Sequence, residues 1–213
     1  MADLEGIAAS LISGKRDEVK TKVQAAVDEG VHPQDILNDG LIAGMAVIGK
    51  RFRANEIYVP EVLIAARAMN AGMELLEPLL VQSGVQPVGK VVIGTVKGDL
   101  HDIGKNLVGM MLQGGGFKII DLGTDVSAEA FVAAANENDA KLVGLSALLT
   151  TTMPYMSEVI KAVRESGLEG VRCLIGGAPV TQKFADEIGA DGYAPDAASS
   201  VDLANKLIGA SPS

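Results

Sequence analysis

The chain has no tryptophan and only three tyrosines and four phenylalanines in 213 residues, so its core has to be assembled from Val, Ile, Leu, Ala and Met. Scarce rings also remove the stacking platforms on which binders of single-stranded nucleic acid rely. Cations are in short supply too. The 18 Lys and Arg against 27 Asp and Glu leave a formal charge of −9, whereas nucleic acids and anionic membrane surfaces are held chiefly by cations. Neither a nucleic acid nor a membrane is expected as a partner. The single cysteine, Cys173, excludes an intrachain disulfide and reads as a small buried hydrophobe in a reducing compartment. With two histidines and no Cys/His cluster, a zinc or iron centre built from protein ligands alone is excluded. No apolar run approaches the roughly 20 residues that span a bilayer. The opening Met1-Ala2-Asp3-Leu4-Glu5 lacks the basic stretch and apolar run of a secretory signal, so a cytoplasmic protein is expected.

What is present falls into two rhythms. Up to residue 84, apolar residues recur at helical spacing: Leu4, Ile7, Ala8, Leu11; Val19, Val23, Ala26, Val27; Ile36, Leu37, Leu41, Ile42, Met45, Ile48. A fourth helix is predicted from Pro60, a residue suited to a first helical turn, through Val62, Leu63, Ala66, Met69, Met73, Leu76, Leu79 and Leu80. These four helices predict a small bundle over 1–84. The stretch Gln82 to Gly89 is rich in turn residues and without period, which places a domain boundary there. From 85 to 213 short apolar runs alternate with helical segments: Val91–Val96, Phe117–Leu122, Leu142–Ser146, Val171–Ile175 and a brief Gly192–Ala194. Strands alternating with helices imply right-handed crossovers and a parallel sheet. The predicted fold is α/β, a flavodoxin-like doubly wound five-stranded sheet preceded by a four-helix bundle.

In such a sheet ligands bind beyond the carboxyl ends of the strands, where strand order reverses, here between strands one and three. The loop after strand one reads Gly98-Asp99-Leu100-His101-Asp102-Ile103-Gly104 and the loop after strand three Ser146-Ala147-Leu148-Leu149-Thr150-Thr151-Thr152. The first carries Asp99 and Asp102, which repel phosphate, and no Gly-x-Gly-x-x-Gly is present, so the usual nucleotide ligands of this fold are disfavoured. A histidine that ligates a metal commonly donates its other ring N–H to a carboxylate. Asp99 is placed to receive it from His101, and a hydroxyl of the second loop, Thr152, to donate to Asp99. The same residues also read as a surface pair in a helix-capping turn, Thr150 to Thr152 as a helix N-cap, and Gly176-Gly177 as an ordinary turn. One histidine makes sense as a metal ligand only when a macrocycle already holds the ion.

Asp99-x-His101-x-x-Gly104, then Ser146-x-Leu148, then Gly176-Gly177, after a four-helix segment, resemble the cobalamin-binding module of methionine synthase and the stand-alone corrinoid proteins of methanogens and acetogens. The resemblance covers essentially the whole chain. It implies cobalamin or a related corrinoid as cofactor, in a methylcobalamin form, with its lower base detached and threaded between strands one and three. His101 is then the cobalt ligand, Asp99 its hydrogen-bond partner, and Thr152 stands where the family usually has serine. Asp102, Ile103 and Gly104 share the ligand loop; Ser146, Leu148 and Thr150 line the tunnel for the nucleotide tail, with Gly176 and Gly177 against it. The helical half becomes a cap, Phe52 and Val59 covering the upper face of the cobalt. The implied function is a methyl carrier, inactive without partners, that shuttles a methyl group on cobalt between a substrate-specific methyltransferase and a second one acting on tetrahydrofolate or coenzyme M, with a reductive activator protein as a further partner. Two other roles use a similar module. A subunit of a radical mutase needs a large substrate barrel, and a cobalamin-dependent sensor needs a basic DNA-reading face.

Overall fold

A computed structural model describes residues 3–209. The chain divides into a helical unit that ends at Pro87 and an α/β unit that begins at Val88.

In the helical unit, α1 (Leu4–Ile12) is started by Asp3, whose carboxylate accepts the Gly6 N–H, and α2 (Arg16–Asp28) follows a two-residue turn beyond Ser13. The third predicted helix is one continuous rod in three parts: α3 (Pro33–Asp35), a π-helical stretch Ile36–Ile42, and α4 (Ala43–Arg53). No periodicity signalled the π stretch. Its wider turn buries Ile36, Gly40, Leu41 and Ile42 together, and a Cβ at Gly40 would stand 3.1 Å from the Ile7 side chain, so α1 packs directly on this backbone. Helix α5 (Val59–Gln82) starts one residue before Pro60, because the Glu61 carboxylate accepts the Tyr58 N–H at 3.1 Å and caps the end. Val59 is therefore the first residue of a helix, not part of the connection, and Phe52 sits in the last turn of α4. Both are half-buried.

In the α/β unit, β1 (Lys90–Thr95), α6 (Ile103–Gly114), β2 (Lys118–Asp121), α7 (Ala128–Glu137), β3 (Leu142–Ser146), α8 (Pro154–Glu165), β4 (Arg172–Gly176), α9 (Gln182–Ile188), β5 (Gly192–Tyr193) and α10 (Ala197–Ile208) alternate along the chain. All strands are parallel, in the order β2-β1-β3-β4-β5. The predicted strands are all found, with ends displaced by at most one residue. Val96, for instance, leaves β1 to form an isolated bridge with Val126.

Strand alternation sends Val92, Val143, Leu145, Cys173 and Ile175 to one face, where Phe131 of α7 and Met156 and Val159 of α8 cover them. Val91, Ile93, Leu142 and Leu174 go to the other, against Leu112 of α6 and Ala204 of α10. Both faces are thus dry, as a doubly wound parallel sheet requires. Register then aligns Thr95 with Ser146 and Ser146 with Gly176, so the three loops that follow β1, β3 and β4 leave the same edge side by side.

Beside the start of β4, Asp191 accepts from Arg164 at 2.6 Å, Arg172 at 3.0 Å and the Cys173 N–H at 2.7 Å. Burial, with the Asp191 charge second, pushes the Cys173 thiol up to about 12. Asp191→Ala leaves two guanidinium groups and one N–H without their acceptor, and a loss of about 1–3 kcal/mol is expected, measured as a lower urea midpoint. Cys173 should stay unreactive toward a thiol reagent at pH 8 until the chain unfolds.

Candidate functional site

The site grows from one carboxylate. Asp99 lies just beyond the tip of β1 with none of its surface exposed. Its Oδ1 accepts the His101 N–H at 3.1 Å, an Asx turn that the spacing Asp-x-His makes locally available. The same oxygen lies 2.7 Å from His101 Nδ1. Its Oδ2 accepts the Thr152 hydroxyl at 2.7 Å and the backbone N–H groups of Leu148 at 2.8 Å and Leu149 at 3.2 Å. Burial by itself would raise this carboxyl; the Leu148 N–H, the Thr152 hydroxyl and the His101 ring and N–H outweigh it and hold Asp99 well below the usual carboxylate range. In the neutral ring an ionised acceptor fixes the tautomer, with the proton on Nδ1 toward Asp99 and the lone pair on Nε2. About half of the His101 side chain is exposed, and Nε2 makes no hydrogen bond to the described residues.

The loop that presents His101 is clamped from both neighbours. Gly98, at φ +84, donates its N–H to Asp125 Oδ1 at 2.7 Å, and the Asp125 N–H donates to the Asp99 carbonyl at 3.0 Å. On the other side Val96 N–H reaches the Ser146 carbonyl at 3.0 Å. Neither reading as a surface turn survives this geometry. Asp99 is buried, and Thr152 does not cap α8: its hydroxyl faces Asp99 and, at 2.9 Å, the Leu149 carbonyl.

The other residues of the predicted set divide. Asp102 is exposed and accepts Asn106 Nδ2 at 3.1 Å, fastening the first turn of α6. Leu148 is exposed beside the Asp99 carboxylate, Ser146 is the half-buried last residue of β3, and Thr150 is exposed. Gly177 has φ +138, and a Cβ there would stand 1.9 Å from the Ala147 carbonyl oxygen, so the close approach of the β3 and β4 loops already demands glycine. Phe52 and Val59 belong to the helical unit. The spacing argument passed over Leu100, Leu149, Asp125 and Thr95. The signal for the first two was the run of aliphatic residues in loops otherwise polar; nothing local marked Asp125.

The residues 89–202 match the family described as B12 binding domain, and 3–77 match a second B12 binding domain family. A corrinoid protein of Desulfitobacterium hafniense is 44% identical, the match covering 98% of this chain and 99% of that protein. Dimethylamine corrinoid protein 1 of Methanosarcina acetivorans is 44% identical over 96% of this chain and 97% of its own. The chain belongs to the B12-binding corrinoid proteins. The methanol:cobalamin methyltransferase complex MtaBC of Methanosarcina barkeri superposes with a TM-score of 0.86 at 33% identity, covering 98% of this chain and 80% of that one. A cobalamin-binding protein of Desulfitobacterium hafniense DCB-2 gives 0.80 at 29%, covering 97% and 99%.

The side chains around His101 suit such a ligand. Leu100 is 73% and Ile103 78% exposed, and Leu148 and Leu149 stand exposed near them. Four aliphatic side chains left in water around one imidazole suit a broad apolar ring laid over them. At Gly104, inside the first turn of α6, an added Cβ would meet nothing within 4 Å. Packing within the protein therefore gives no reason for a helical glycine that is less favourable than alanine by about 1 kcal/mol; close approach of a ligand does. Among the described residues no group of three or more His, Cys, Asp or Glu could hold a bare ion, so the donor set fits cobalt already bound in its macrocycle.

A carboxyl held low in the folded state contributes stability above its unfolded value, near pH 4, and that contribution fades as pH falls further. Wild-type protein should therefore lose stability below about pH 4, whereas Asp99→Asn should be less stable at pH 7 by about 1–3 kcal/mol and converge on wild type in acid. Urea midpoints at several pH values check this.

Proposed function

We propose that this corrinoid protein carries a methyl group between two methyltransferases, with His101 Nε2 as the atom that would ligate the cobalt of a bound corrinoid. The observation that carries the reading is the buried Asp99 carboxylate gripping Nδ1, which leaves one imidazole nitrogen of fixed tautomer facing outward. When bound, the corrinoid supplies a cobalt centre able to take up and give back a methyl group; the protein supplies ligation, shielding and presentation.

Ligand strength is set by the residues behind the ring. Asp99 pulls on the Nδ1 proton and makes Nε2 a better donor, while Thr152 and the Leu148 and Leu149 N–H groups stop the carboxylate from turning away. The same chain manages a proton when His101 withdraws. With a proton on Nε2, the ring remains held by Asp99; with one on Asp99 Oδ2 instead, Thr152 can accept it and turn its own hydroxyl to the Leu149 carbonyl, 2.9 Å away. The His101, Asp99 and Thr152 groups thus hold one extra proton without leaving a buried polar atom unpaired. Leu100, Ile103, Leu148 and Leu149 would keep water from the bound group around His101. Ser146, Thr150 and the Gly176-Gly177 turn are assigned to the nucleotide tail.

Relatives named for dimethylamine and trimethylamine, and a methanol:cobalamin methyltransferase complex, support a donor methyltransferase specific for a small methylated compound as partner. We propose in addition an acceptor enzyme using tetrahydrofolate or a coenzyme M thiol, and a reductive activator.

Purified protein incubated with cobalamin and then freed of unbound cofactor should stay red and show the visible spectrum of histidine-ligated, base-off corrinoid. His101→Ala should lose that spectrum, and an unchanged spectrum would remove His101 from the site. Asp99→Asn should weaken affinity about 10 to 100-fold. Gly104→Val should weaken cobalamin binding while leaving the unfolding free energy of the free protein within about 0.5 kcal/mol of wild type; equal binding would mean that nothing approaches α6 there.

A further inference from the structure

We infer that Thr95 is a positioning residue for His101, a latch that fixes the height at which the imidazole stands above the sheet. The inference rests on the role proposed for His101. Thr95 is the last residue of β1 and is wholly buried, on the face that otherwise carries Val91 and Ile93. An isosteric valine would be the ordinary choice at such a place. Its hydroxyl is instead spent on one bond, donated to the His101 carbonyl at 2.7 Å. Asp99 already takes the His101 N–H and faces Nδ1, so with Thr95 every polar group of His101 except Nε2 is held. A ring on an anchored main chain can swing only about its own side-chain bonds. It therefore meets or leaves an ion above it without the loop having to reorder, which lowers the entropic cost of each encounter.

The latch is itself anchored. The Thr95 N–H donates to the Gly123 carbonyl at 2.9 Å, and its carbonyl accepts the Val126 N–H at 3.0 Å. Gly123 N–H is held by Asp121 Oδ1 at 2.8 Å, and the other Asp121 oxygen pairs at 2.5 Å with Lys105, a buried cation on α6. Helix α6 follows the His101 loop directly, so the bonds close a circuit from Thr95 through β2 to the helix and back to His101. The ion pair of buried Lys105 with the more exposed Asp121, otherwise without a role in the site, anchors one side of it.

The test compares Thr95→Val with Thr95→Ser, in full-length protein with and without cobalamin. Without cobalamin, amide exchange at 99–103 should quicken about fivefold to tenfold in Thr95→Val, the effect of one lost hydrogen bond, and stay at the wild-type rate in Thr95→Ser. At saturating cobalamin, the histidine-ligated fraction of the visible spectrum should fall in Thr95→Val and recover in Thr95→Ser. Should Thr95→Val not fold, Thr95→Ala carries the same expectations. A wild-type ligated fraction and wild-type exchange in the valine variant, or a lower Tm with both unchanged, overturns the latch, as does an equal change in the serine variant. If wild-type protein itself shows no imidazole ligation, the reading of His101 fails instead, and exchange in the cobalamin-free protein still decides whether Thr95 holds the loop.

Discussion

A carboxylate removed from water must be surrounded by donors, and that requirement organises the whole end of the α/β unit. Asp99 collects the His101 ring and N–H on one oxygen and the Thr152 hydroxyl with two backbone N–H groups on the other. Those donors come from two loops about fifty residues apart in the chain, so the charge cannot be satisfied unless β1 and β3 are neighbours in register. Stability and ligand presentation are consequently one problem here. The arrangement that makes Asp99 tolerable in the interior is also the one that fixes the imidazole tautomer.

Around this polar knot the surface is unexpectedly greasy. Leu100, Ile103, Leu148 and Leu149 are left in water. An apolar collar around a single outward nitrogen, with a helix start open at Gly104, is poorly suited to hydrated ions or phosphates and well suited to a flat ring carrying its own metal. The membership of the B12-binding family and this chemistry point the same way from independent directions.

Much of this was legible in the residues. Asp99-x-His101 declares itself because an Asx turn is a local event, complete within three residues. The strands were legible because parallel strands buried on both faces are continuous apolar runs. The π-helical turn at Ile36–Ile42 was not, and the packing that accompanies it, α1 against Gly40, is a contact between distant segments. Thr152 was selected over Thr150 and Thr151 by resemblance and chemistry, but a run of three hydroxyls has no internal feature that says which one turns inward. Asp125 and Thr95 were invisible for the same reason: an aspartate in a loop and a threonine in a strand are ordinary, and become particular only through the partners that the fold delivers.

The order of residues by itself determined the two rhythms, the alternation of strands and helices and the histidine-bearing loop, because each of these is written within a window of a few to a few dozen positions. Tertiary structure alone decided that Asp99 is buried rather than superficial, that Thr152 faces it, that Thr95 reaches the His101 carbonyl, and that four leucine and isoleucine side chains gather at one rim. Those outcomes depend on strand register and on hydrogen bonds between segments remote in sequence, and only the folded sheet brings such partners within 3 Å of one another.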